Sequence, residues 1–174
     1  EGMSSFSKPN GVHADREGRI YVTDTGFGMV IVFDPKGNAP VILEAGGRSP
    51  FRKPVGITTD PAGNIYISDT ASDRVFVFDK ERNFVKGLGM KGEFKQPAGI
   101  TVDPAGKRLY VVDTHNHQIA VLDIESGEII KTIGKRGREE GEFNFPSHIT
   151  VDPKGNLYVV DTMNGRVQIF DQSG

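Results

Sequence analysis

Short apolar runs alternate with polar turns along this chain, and three runs in every four close on an aspartate. The first run of each set reads Gly11–Asp15, Gly56–Asp60, Gly99–Asp103 and His148–Asp152. The second reads Ile20–Asp24, Ile65–Asp69, Leu109–Asp113 and Leu157–Asp161. The third reads Val30–Asp34, Val75–Asp79, Ile119–Asp123 and Val167–Asp171. A fourth run follows in three of the sets: Val41–Glu44, Phe84–Gly87 and Ile129–Ile133. Each set is introduced by phenylalanine and, three residues on, proline (Pro9, Pro54, Pro97, Pro146), so one unit recurs every 43 to 49 residues.

Runs of this length, rich in Val, Ile and Tyr, predict β-strands, here a, b, c and d in order. Asp60-Pro-Ala-Gly63, Asp103-Pro-Ala-Gly106 and Asp152-Pro-Lys-Gly155 join strand a to strand b. In such a turn Asp bonds forward to the backbone, Pro presets φ, and Gly takes the left-handed position. Strands b and c are nearly continuous apolar runs, which means burial on both faces. No connection is long enough for a crossover helix, which excludes a parallel α/β sheet. Four-stranded units buried on both sides at this period describe propeller blades. The chain is therefore expected to be all-β, a β-propeller of four-stranded antiparallel blades with four repeats present. Residues 1–174 form a single partial domain with blades at about 6–50, 51–93, 94–142 and 143–174, the last without its outer strand. An arc of this kind, closed by neither terminus, reads as a segment of a longer propeller or as one completed by another chain.

Composition changes this picture little. Net charge is −2, from 21 basic and 23 acidic residues, so no global field favours nucleic acid or an anionic membrane. There is no cysteine, hence no disulfide, thiolate metal site or thiol nucleophile. No apolar run approaches the roughly 18–20 residues of a membrane span.

The motifs resemble the NHL repeat family. The last repeat shows this most fully, in Pro146-Ser-His-Ile-Thr-Val-Asp152, Gly155-Asn-Leu-Tyr-Val-Val-Asp161 and Asn164-Gly-Arg-Val-Gln-Ile-Phe170. Repeat one departs with Phe27-Gly-Met29, repeat two with Ser72-Asp-Arg74, and repeat four with His148 in a glycine slot. The resemblance implies a six-bladed ring, of which these residues supply an open arc or a part. Exported bacterial propellers carry similar linkers, which leans the location toward the cell envelope.

Two candidate chemistries stand out. The aspartates ending strand b (Asp24, Asp69, Asp113, Asp161) lie on one face, and a ring of carboxylates can hold Ca through hard oxygen ligands. The competing reading is that each caps its own b–c turn through backbone N–H groups. His13, His115, His117 and His148 also fall toward that face, and NHL-type lyases recruit histidines from separate blades. A Zn site needs three converging imidazoles and an open position. Neither cofactor is favoured over none. Arg74 and Arg166 hold the family's arginine slot, and inter-blade pairing with Asp accounts for them better than RNA binding. The mixed-charge insert Lys135–Glu142 reads as a solvated link.

The expected function is a non-catalytic scaffold whose face loops bind a protein or small ligand. The residues expected to do so are Phe27, Gly28, Ser72, Asp73, His115, Asn116, His117, Met163 and Asn164, with His148 at the channel mouth. The alternative is a metal-dependent lyase or hydrolase with a histidine site at that mouth. Expected partners are a protein or the remaining blades, from the same gene product or another chain.

Overall fold

The computed structural model describes residues 5–45, 47, 49–89 and 92–171. Readings that involve residues 1–4 or 172–174 lie outside these. Among the described residues fifteen strands form four antiparallel meanders, each hydrogen-bonded in chain order. The first sheet is β1 (Pro9–Ala14), β2 (Ile20–Asp24), β3 (Met29–Phe33) and β4 (Val41–Ile42). The second is β5 (Pro54–Thr59), β6 (Ile65–Asp69), β7 (Arg74–Phe78) and β8 (Phe84–Leu88). The third is β9 (Pro97–Val102), β10 (Arg108–Asp113), β11 (Gln118–Asp123) and β12 (Ile129–Ile133). The fourth has three strands, β13 (Pro146–Val151), β14 (Leu157–Asp161) and β15 (Arg166–Phe170). The only helical turns among the described residues are short 3₁₀ segments, Thr114–Asn116 and Thr162–Asn164.

The innermost strands β1, β5, β9 and β13 contact one another in succession, so the sheets fan about a shared axis. One apolar core fills each junction. Tyr21, Val30, Val32, Ile65, Ile67 and Phe78 meet between the first and second sheets. Tyr66, Val75, Val77, Leu109, Val111 and Leu122 meet between the second and third. Tyr110, Ile119, Phe143, Leu157 and Val159 meet between the third and fourth. Alternate residues of one strand thus serve two different cores, which is why strands b and c are apolar throughout.

Strand a differs from the sequence expectation. It begins two residues earlier, at the proline, and passes through a bulge before its regular register: Pro9 pairs Asp24, while Val12 pairs Val22. Proline is tolerated because it opens the strand, where its missing N–H costs no ladder bond. The closing aspartate lies just past the strand, in the turn, where its carboxylate takes two backbone amides in the first, third and fourth sheets (Glu17 and Arg19 on Asp15, for example) and the Asn64 amide in the second. In the first sheet the outer strand is only Val41–Ile42, although Leu43 remains tied to the Val30 carbonyl at 2.9 Å and is buried.

Glycine opens the regular part of strand a in three sheets because the next inner strand approaches there. A Cβ on Gly99 would lie 2.7 Å from the Cα of His148, and one on Gly56 would strike the Ala98 carbonyl. A hydroxyl completes two of these junctions. Thr23 Oγ1 accepts from Gly11 N–H and donates to the Val55 carbonyl at 2.9 Å; Ser68 does the same between Gly56 and Ala98.

Candidate functional site

The upper face carries the b–c loops and the starts of the inner strands. The four aspartates ending strand b are fully buried there. Asp24 accepts the amides of Ser7, Lys8, Gly26 and Phe27 at 2.6–3.1 Å. Asp69 accepts those of Arg52, Lys53, Ala71 and Ser72 at 2.7–3.1 Å. Each carboxylate therefore pins the chain entering strand a to the loop leaving strand b. Burial works against ionisation of Asp24, and the four amides outweigh it, so its carboxyl sits below the usual range.

The third and fourth sheets solve the same problem differently. Asp113 takes one entering amide, Lys95 at 2.7 Å, and fills its other oxygen with Asn116 Nδ2 and Gln118 Nε2 at 2.7 and 3.2 Å. Asp161 takes Asn144 N–H at 2.7 Å, with Asn164 Nδ2 and Arg166 Nε both at 2.9 Å. Arg166 thus forms its ion pair within its own sheet, while its guanidinium also donates to the Glu142 carbonyl at 2.9 Å, drawing the charged insert of the preceding blade onto β15. Burial opposes ionisation of Asp161 as well, and Asn144, Asn164 and Arg166 lower its pKa.

The second entering amide is handed to the preceding sheet. Gln96 N–H donates to Asp73 Oδ1 at 2.7 Å, and Phe145 N–H donates to His117 Nδ1 at 3.1 Å. Asp73 and His117 sit in the left-handed region at φ 52° and 56°, as do the donors Gln96 and Phe145 at 53° and 50°. Gly28 and Gly165 occupy the same loop position and offer no side chain. Where Gly28 stands, Lys53 N–H stays on its own aspartate. The loop residue thus decides how neighbouring sheets are clasped. His117 is buried, with the Phe145 ring edge-on at 4.5 Å, and His115 packs on the same ring at 5.2 Å. Burial lowers the His117 pKa, helped by Arg136 and His115.

The candidate face residues therefore divide. Phe27 (49% exposed), Met163 (67%), Asp73, Asn116 and His148 are open to solvent; Ser72, His115 and Asn164 are half-buried; Gly28 and His117 are buried. The histidines do not converge. His13 Nε2 lies 2.9 Å from Thr59 Oγ1 on the second sheet, and burial lowers its pKa against the pull of Asp15. His148 is exposed and lines an axial cavity of about 270 Å³ with Gly11, Val55, Gly56, Gly99 and Ile100. Among the described residues no group of three or more His, Asp or Glu side chains is placed to hold a metal ion. Sequence reasoning missed Gln96, Phe145 and the clasp they form; the asparagines Asn116 and Asn164, present only in the last two loops, were the available signal.

Sheets fanned about an axis, joined inner strand to inner strand, define a β-propeller. Residues 51–78 match the NHL repeat, and residues 100–174 match a family described as a 6-bladed beta-propeller. No curated protein matches the chain. Among solved structures it is similar to virginiamycin B lyase from Staphylococcus aureus, with 18% identity, TM-score 0.73, and coverage of 97% of this chain and 57% of that one. It is also similar to a chain of the nidogen–laminin complex, with 25% identity, TM-score 0.79, and coverage of 98% and 62%. A Bacteroides caccae protein of unknown function aligns with 17% identity, TM-score 0.71, and coverage of 95% and 64%. The chain thus spans less than two thirds of each. The propeller fold supports a binding scaffold, and the neighbours include both an enzyme and a chain of the nidogen–laminin complex.

Proposed function

We propose that the chain is a non-catalytic binding module that presents its upper face to a protein or small ligand. One observation carries this. The aspartates that acid–base or metal chemistry would need are consumed in clasping the sheets, while Phe27, Met163 and His148 stay open to solvent. Exposed aromatic and thioether side chains on a rigid loop platform are the usual anchors of protein recognition. Panning a displayed peptide library against the chain tests it. Binders should weaken at least tenfold on the Phe27→Ser, Met163→Ser double variant; binders indifferent to both substitutions would overturn the assignment.

A lyase reading is favoured by His148 in the axial cavity together with the similarity to virginiamycin B lyase. Incubation with virginiamycin B separates the two. Turnover that vanishes in His148→Ala would establish the lyase; an unchanged substrate supports the scaffold.

The open face of the fourth sheet completes the proposal. Val167 and Ile169 are 58% and 64% exposed, whereas Val75, Val77, Ile119 and Val121 at the matching places in β7 and β11 are buried; Val160 is 37% exposed where Val112 in β10 is buried. Further sheets of this repeat, from the same polypeptide or another chain, would cover them. The chain expressed alone should then self-associate; a monomer that melts cooperatively would count against it.

A further inference from the structure

The lower face holds a site of a different kind. In three sheets the aspartate after strand a is sealed by two side chains. Asp15 Oδ2 accepts Arg19 Nε at 2.6 Å and Tyr21 O–H at 2.9 Å. Asp60 Oδ2 accepts Asn64 Nδ2 at 2.8 Å and Tyr66 O–H at 3.0 Å. Asp152 Oδ2 accepts Asn156 Nδ2 at 2.8 Å and Tyr158 O–H at 3.3 Å. The third repeat has one extra turn residue, Lys107, and its niche is open. Asp103 Oδ1 takes the Lys107 and Arg108 amides at 2.7 and 2.9 Å, but no side chain among the described residues bonds Oδ2. The Tyr110 hydroxyl likewise makes no hydrogen bond to a described residue; its ring is buried in the core, and the residue lines the open niche. Arg108 stands where Arg19 stands in the first sheet, yet it is exposed and forms no ion pair with Asp103. Between the third and fourth sheets a cavity of about 130 Å³ opens onto Asp103, Arg108, Tyr110, Pro153, Lys154 and Gly155, so two cationic side chains border it beside the one carboxylate.

We propose that this cavity binds a nitrogen head group, an ammonium or guanidinium, between the Asp103 carboxylate and the Tyr110 hydroxyl. The sibling niches show what the pair selects, because each is filled by an N–H donor from its own turn. A cation is favoured over a neutral amide, since a hydrogen bond to a carboxylate strengthens when the donor is charged. The cavity equals about four waters at ~30 Å³ each, so it admits a head group while any longer ligand trails into solvent. Arg108 is the built-in competitor, because it holds the place that Arg19 takes in the first sheet, where Arg19 holds Asp15.

Methylammonium and guanidinium chlorides, far below denaturing concentration, are titrated against NaCl at matched ionic strength while the Tyr110 ring resonances are followed. The blocked amides of Nα-acetyl-arginine and Nα-acetyl-lysine form a second arm. Saturable shifts are expected, tightening about fivefold in Arg108→Ser and weakening about fivefold in Tyr110→Phe, the scale of one hydrogen bond. Tyr110→Phe keeps the ring in the core, so the fold survives the test. Binding by the simple cations shows that the head group suffices. Binding confined to the blocked amino acids assigns the site to a side chain of a partner. No saturable shift even in Arg108→Ser overturns the proposal.

Discussion

Replacing Asp24 by Asn probes the upper-face clasp at its simplest point. The side chain is fully buried, and its oxygens hold four amides: Lys8, Gly26 and Phe27 on Oδ1, Ser7 on Oδ2 at 2.6 Å. Asparagine keeps one carbonyl oxygen, so three of these bonds survive with a neutral acceptor. Its NH₂ then faces the Ser7 N–H, donor against donor. Losing one charged hydrogen bond costs about 1.5–3 kcal/mol, and weakening three others adds roughly 1 kcal/mol. The sum of about 3 kcal/mol converts to a fall in Tm of about 6–12 °C for a chain of this size. Urea or thermal unfolding measures it, together with faster amide exchange at Ser7 and Lys8. The pH profile supplies a control. The folded pKa of Asp24 lies below 3.8, the ordinary value of an aspartate carboxyl. Its contribution is therefore complete above that value and is lost as pH falls through the folded pKa. Asp24→Asn should flatten this acid limb. A change under about 0.5 kcal/mol, the scale of an unremarkable surface substitution, would refute the clasp. So would a Ca²⁺-dependent rise in wild-type Tm that the variant abolishes, because the carboxylates would then be ligands.

Other outcomes follow from the junctions between sheets. Gly56→Ala drives a methyl into the Ala98 carbonyl and to 2.8 Å from Ser68 Oγ, and should cost about 1–3 kcal/mol; His148→Ala, at the same slot of a sheet with an open face, should be near neutral by unfolding. Protonating His117 removes the acceptor for Phe145 N–H. Because its folded pKa is lowered from 6.5, its contribution is full above that value and falls away as pH drops through the folded pKa, which the Phe145 amide exchange rate will report. Asparagine tolerates left-handed φ and can accept the same bond, so His117→Asn should keep the clasp and lose that pH dependence. Removing the Phe143 ring, which fills the junction between the third and fourth sheets, should cost about 3–5 kcal/mol as Phe143→Ala.

The sequence on its own determined the strands, their antiparallel order and the number of sheets. These follow from apolar periodicity and turn chemistry, which act between residues close in the chain, and three of the four b strands match their expected bounds residue for residue. It also carried the capping role of Asp24 and Asp69 toward their own loops, because the Asx geometry is local. Tertiary structure alone decided the rest. Asp24 reaches back to Ser7 and Lys8, and His117 forward to Phe145 across a sheet junction, through contacts with no spacing signature. The same holds for His13, which turns to Thr59 instead of the channel, and for the open niche at Asp103 and Tyr110. There a single inserted residue, visible in the sequence, changed which side chains could meet. Local rules set which groups need partners; only packing chose the partners, because several acceptors of equal chemistry compete and distance settles between them.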